Sequence, residues 1–67
     1  MTENERIIQM LIELREQHGL TQTAMADKIG MARNNYSRLE SGKHQISLPK
    51  LAEILAVFGK KIGAVDM

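Results

Sequence analysis

The stretch from Thr21 to Ser41 constrains the fold of this chain more than any other. Two short helical patterns lie so close together there that only Gly30, Met31 and Ala32 separate them. That turn is too tight to carry structure of its own. Thr21 can cap the first of them, Gln22 to Ile29 forms its body, and Gly30 ends it. Met25, Ala26 and Ile29 supply its inward face, and the small Ala26 lets another helix come close. The second runs from Arg33 to Glu40 or Ser41 and stops at Gly42. Tyr36 and Leu39 point one way along it, while Arg33, Asn34, Ser37 and Arg38 point elsewhere. A helix so poor in apolar residues adds little to a core, but it displays many hydrogen-bond donors and acceptors.

The flanking segments provide the rest of the core. A helix is expected over Asn4 to Gln17, with Ile7, Leu11 and Leu14 at helical spacing, Ile8 beside them and Gly19 as the stop after His18. Met10 and Ile12 widen this face, so some of it meets something other than a monomeric core or stays exposed. After a loop from Gly42 to Ile46, Ser47 caps a further helix that tolerates Pro49 in its first turn. Leu51, Ile54, Leu55 and Phe58 face inward there, and Gly59 terminates it. From Lys60 to Met67, Ile62 and Ala64 alternate with Gly63 and Val65, which reads as a short strand or an extended tail. The expected fold class is all-α, a single domain over residues 1–67.

A domain of 67 residues buries a modest core and often needs support from disulfides, a metal or a partner subunit. The chain has no cysteine, which excludes disulfides, thiolate zinc sites and thiol catalysis and leaves a second subunit as the simplest support. It has no apolar run of membrane-spanning length, and Met1 to Glu5 is acidic and polar rather than signal-like. The expectation is a soluble, unprocessed, cytoplasmic protein with no membrane partner. Charge is unevenly spread. Residues 1–27 sum to −3, residues 28–50 to +4, and the remainder cancels, for a net +1. The basic middle suits an anionic surface, although ordinary surface scatter would give a similar split.

Helix, three-residue turn and polar helix make up the helix-turn-helix geometry, in which the second helix enters the major groove of double-stranded DNA. Arginine can donate two parallel bonds to guanine, and asparagine can match adenine with one donor and one acceptor. Arg33, Asn34 and Asn35 stand where such contacts are made. The runs Leu20-Thr21-Gln22, Ala26-Asp27-Lys28-Ile29-Gly30-Met31 and Tyr36-Ser37-Arg38-Leu39-Glu40-Ser41-Gly42-Lys43 resemble the Cro and phage-repressor (xenobiotic-response-element, XRE) family. The resemblance spans Ile7 to Phe58. It implies a compact four- to five-helix, lambda-repressor-like domain. It also implies that Gln22 contacts a phosphate and buttresses the recognition helix, and that Arg33 and Asn34 read bases. Asn35, Ser37 and Arg38 would be shared between bases and phosphates, while Ser41 and Lys43 grip the backbone with help from the Gly42 amide. Tyr36 would pack inward, and Arg15 would pair with Glu40 to brace the first helix against the third.

Two positions depart from the family pattern. Ala32 stands where a serine or threonine cap is common, so the recognition helix is expected to lack side-chain capping. The tail from Lys60 replaces a fifth helix; in antitoxin-like relatives a short strand there pairs with a second subunit. Ile62, Ala64 and Val65 could do the same over the apolar surface around Met10 and Ile12. No phosphate loop or activated nucleophile is evident, so no enzyme and no cofactor are expected, and His18 and His44 lack the neighbours of a metal site. Met10, Met25 and Met31 read as core fillers. Two functions remain. One is a sequence-specific transcription regulator, a dimeric repressor of a palindromic operator. The other is a protein-interaction module, including an antitoxin that binds a toxin and represses its own promoter.

Overall fold

A computed structural model of the chain describes residues 1–62. It contains four helices, α1 (Glu3–Gln17), α2 (Gln22–Lys28), α3 (Arg33–Glu40) and α4 (Leu48–Val57). Each begins and ends where local chemistry dictates. Thr2 and Glu5 form a reciprocal capping box on α1: the Thr2 hydroxyl accepts from the Glu5 amide at 3.1 Å, and the Glu5 carboxylate accepts from the Thr2 amide at 2.7 Å. This starts α1 at Glu3, one residue earlier than the apolar pattern alone suggests. Thr21 caps α2 through the Ala24 amide, and Ser47 caps α4 through the Lys50 amide. At the tight turn Gly30 takes a φ of +68°, a left-handed conformation that side chains other than glycine adopt at a cost. The chain reverses there, and the Met31 amide returns to the Ala26 carbonyl at 2.9 Å. α2 is one residue shorter than expected because Ile29 has already left helical geometry to serve as its C-cap.

The core is drawn from all four helices: Ile8, Leu11, Met25, Ala26, Tyr36, Leu51, Ile54 and Leu55. The face of α1 is turned slightly from the expected one, since Ile8 is buried and Ile7 is half-buried. The spare apolar surface on α1 is also divided. Met10 is 42% exposed on one side, while Ile12 is half-buried on another, as follows from about 200° of helical rotation between positions two apart. Met10 is therefore not a core filler, whereas Met25 is completely buried. Phe58 is half-buried and lies against the His18 ring at a centroid distance of 4.7 Å. The His18 Nδ1–H donates to the Leu14 carbonyl at 2.9 Å, which fixes the ring at the end of α1.

No strand occurs among the described residues, and Lys60 to Ile62 is irregular. Ala64 and Val65, which completed the expected strand, lie outside the described residues. Among those described, no helix is long and apolar enough to cross a membrane.

Candidate nucleic-acid interface

Tyr36 and Glu40, one helical turn apart, are both buried and fix α3 against α2 and α1. The opposite face is thereby determined. Arg33, Asn34, Asn35 and Arg38 are exposed, and Ser37 is half-buried at its edge. Asn34 and Arg38, four residues apart, occupy the centre of the outward face, with Arg33 and Asn35 to either side. All five were singled out from the sequence, and the fold brings them together on one short helix. No side chain caps α3 at Ala32, so its first turn presents backbone N–H groups without a capping partner beside Arg33.

The buried end of α3 is held by a polar network. Arg15 Nε donates to Glu40 Oε2 at 2.7 Å, and its Nη2 donates to Oε1 at 3.2 Å. Arg15 Nη1 donates to the Leu20 carbonyl at 2.7 Å, tying the loop before α2 into the same cluster. Gln22 Nε2 adds a bond of 2.9 Å to Glu40 Oε1. Gln22 thus buttresses α3 through Glu40. Its amide has a second N–H, so the bond does not consume its capacity for a phosphate.

Electrostatics within the network follow from this geometry. The bonds to Glu40 hold the Arg15 guanidinium above its ordinary value despite burial. Burial alone would push the Glu40 carboxyl up. The bonds from Arg15 and from the Gln22 amide, with the polar Tyr36 hydroxyl close by, outweigh it and hold the group below the usual carboxylate range. The Tyr36 hydroxyl is buried beside Glu40 without completing a hydrogen bond among the described residues. Burial first, and then the Glu40 carboxylate, raise it far above its ordinary value. Tyr36 is therefore neutral and internal, and does not stack on bases.

Beyond α3, the chain folds back on itself. Ser41 is the C-cap of α3; its hydroxyl donates to the Arg38 carbonyl and accepts from the Lys43 amide at 3.4 Å. The Gly42 amide donates to the Leu39 carbonyl at 3.2 Å, so this N–H serves the helix end rather than standing free for a phosphate as expected. Lys43 is exposed on the loop.

Asn4 is the residue that the sequence reading missed. Its side chain accepts from the Ile46 amide at 2.9 Å and donates to the His44 carbonyl at 3.1 Å. It therefore pins the exit loop, with Lys43 and His44, to the start of α1. An asparagine in a first helical turn gives no local sign of a partner forty residues away. The pinned loop and α4 enclose a groove beside α3 that is lined by Asn35, Arg38, His44, Gln45 and Lys50. Lys50 also pairs with Glu53 at 2.9 Å, so its charge is partly engaged within α4. No group of three potential metal ligands occurs among the described residues.

This arrangement offers two kinds of contact: a rigid face of guanidinium and amide groups that fits a groove edge, and an adjoining basic loop that fits phosphates. A family model described as Helix-turn-helix matches residues 11–65, which is most of the chain. No curated protein and no solved structure matches it.

Proposed function

This chain belongs to that helix-turn-helix family, of the Cro and repressor (XRE) type, and from that premise we propose that it is a sequence-specific repressor that binds a palindromic operator as a dimer. Membership makes it a DNA-binding regulator. The observation that supports sequence-specific reading is the build of α3, whose inner face is locked by Tyr36 and the Arg15–Glu40 pair while its outer face is polar and cationic. Such a helix can hold Arg33 and Asn34 against base edges without first having to be ordered. Asn35, Ser37 and Arg38 reach bases or phosphates at its flanks. Gln22, Ser41 and Lys43 fix register on the backbone. Two such helices would read half-sites about 34 Å apart on one face of the duplex, and the protein would act in the cytoplasm.

The test is binding to random duplex and to duplexes selected from a random pool, each at two salt concentrations. A steep negative log–log salt slope with recovery of a palindrome supports the proposal. A slope near zero refutes DNA binding. A steep slope with no sequence enrichment refutes sequence-specific reading.

A further inference from the structure

The groove beside α3 holds a cation to which the reading above gives no task. Its basic side chains are Arg38 from α3, His44 from the exit loop and Lys50 from α4, and no carboxylate lines it. Asn35 and Arg38 belong also to the outward face of α3, so a duplex read by that face brings its backbone alongside the groove. The first turn of α4 has little to offer an anion through its own backbone. Pro49 has no N–H, and the Lys50 amide already donates to the Ser47 hydroxyl at 3.2 Å. A contact from this part of α4 therefore falls to the Lys50 side chain. That side chain is engaged elsewhere in the free protein: its Nζ donates to Glu53 Oε1 at 2.9 Å, with the two side chains 30% and 53% exposed.

We infer that Lys50 is a further phosphate-binding residue, which exchanges the Glu53 carboxylate for a backbone phosphate when duplex binds, and that Glu53 attenuates affinity by competing for it. This rests on the DNA-binding reading above and adds a clamp on α4 to those at Ser41 and Lys43. The exchange costs little, because an exposed pair three residues apart on a helix contributes little and Glu53 is left facing water. A phosphate contact, by contrast, releases counterions condensed on the duplex. The lysine ammonium is a compact charge on a flexible stem, so it can swing from one acceptor to the other without moving α4. Such a contact carries no sequence information, so Lys50 sets affinity and salt dependence and leaves base choice to Arg33 and Asn34.

The experiment measures binding of the full chain to random duplex at about 50 and 200 millimolar salt. The proteins compared are the natural chain, Lys50→Gln, Lys50→Arg, Glu53→Gln, the pair Lys50→Gln with Glu53→Gln, and Lys61→Gln, which removes a lysine beyond the other end of α4. Circular dichroism checks helix content; should Lys50→Gln reduce it, Lys50→Met, which keeps the apolar stem, takes its place. We expect Lys50→Gln to weaken binding about three- to tenfold at the lower salt and to lower the salt slope by about 0.9, with Lys50→Arg keeping both. Glu53→Gln should tighten binding about two- to threefold in the natural chain and much less once Lys50 is glutamine. A salt slope unchanged by Lys50→Gln overturns the inference, as does an equal loss from Lys61→Gln, which would mark an effect of net charge alone. A gain from Glu53→Gln that is as large without Lys50 overturns the competition. In each of these cases a natural chain with a steep salt slope leaves the DNA-binding reading standing, whereas a natural chain with no slope overturns both.

Discussion

Arg15 and Glu40 lie twenty-five residues apart and meet through two bonds, Nε to Oε2 at 2.7 Å and Nη2 to Oε1 at 3.2 Å, with side chains 11% and 4% exposed. The pair joins α1 to the end of α3, so the orientation of α3 depends on it. Removing either partner strands the other in a site shielded from water. Arg15→Ala or Glu40→Ala should each destabilise the fold by about 3 kcal/mol in urea unfolding. Replacing both together with apolar residues of similar volume should cost much less than the sum of the two single changes, because no charge is then left unpaired.

The same pair sets a pH dependence. The folded protein holds the Glu40 carboxyl below its ordinary value of 4.5, which the unfolded chain retains. The unfolded state therefore binds the proton more readily. The stabilisation is full above that ordinary value and is lost as pH falls through the lower, folded value. Urea midpoints measured downward from pH 5.5 should fall less steeply for Glu40→Gln than for the natural chain, since glutamine has no proton to take up.

Much of the fold was legible because its signals are local. Thr21, Ser47, Gly30 and Gly59 mark helix ends through bonds made within a few residues, and the structure has α2 to α4 close to those marks. The tilt of α1 was less legible. Ile7 and Ile8 are neighbours in sequence, and only packing against the other helices buries Ile8 rather than Ile7. Met10 and Ile12 looked like one spare surface because composition carries no direction, and helical rotation places them on different sides. The Arg15–Glu40 pair came from family resemblance, since nothing in spacing links positions so distant. The outward polar face of α3 was readable from its own residues, but the loop pinned by Asn4 was not.

Ala32 offers a simple gain in stability. It precedes α3 with extended geometry and no side-chain bond to the first turn. Serine there can accept an N–H that is otherwise left to water. Ala32→Ser should raise stability by about 1 kcal/mol in urea unfolding, provided the serine adopts the capping rotamer. Its base preference should stay that of the natural chain, because the outward side chains are untouched.

On the DNA side, Arg33 and Lys43 should respond differently. Arg33→Ala should cost about 1–3 kcal/mol on the selected operator and little on random duplex, thereby flattening sequence preference. Lys43→Ala should weaken all sequences nearly equally and lower the salt slope by about one. Competition assays at two salt concentrations distinguish these outcomes, and identical behaviour of the two variants would refute the division between reading and gripping.

Asn4 makes the longest-range prediction, because it lies far in sequence from the surface it supports. Its carboxamide satisfies one donor and one acceptor of the exit loop, at Ile46 and His44. Asn4→Ala leaves the half-buried Ile46 amide without that partner, at a cost of about 1 kcal/mol. Aspartate would keep the acceptor for Ile46 and lose the donor to His44, so it should retain part of the effect. Amide exchange at Ile46 should accelerate in Asn4→Ala and much less in Asn4→Asp. The loop carries Lys43 and His44 and borders the groove beside α3, so loosening it should weaken binding to random and selected duplexes alike. The ratio between the two should hold, since Arg33 and Asn34 are fixed by the Tyr36 and Glu40 side of α3 and not by this loop. A change in that ratio would mean that the exit loop also helps to choose the sequence.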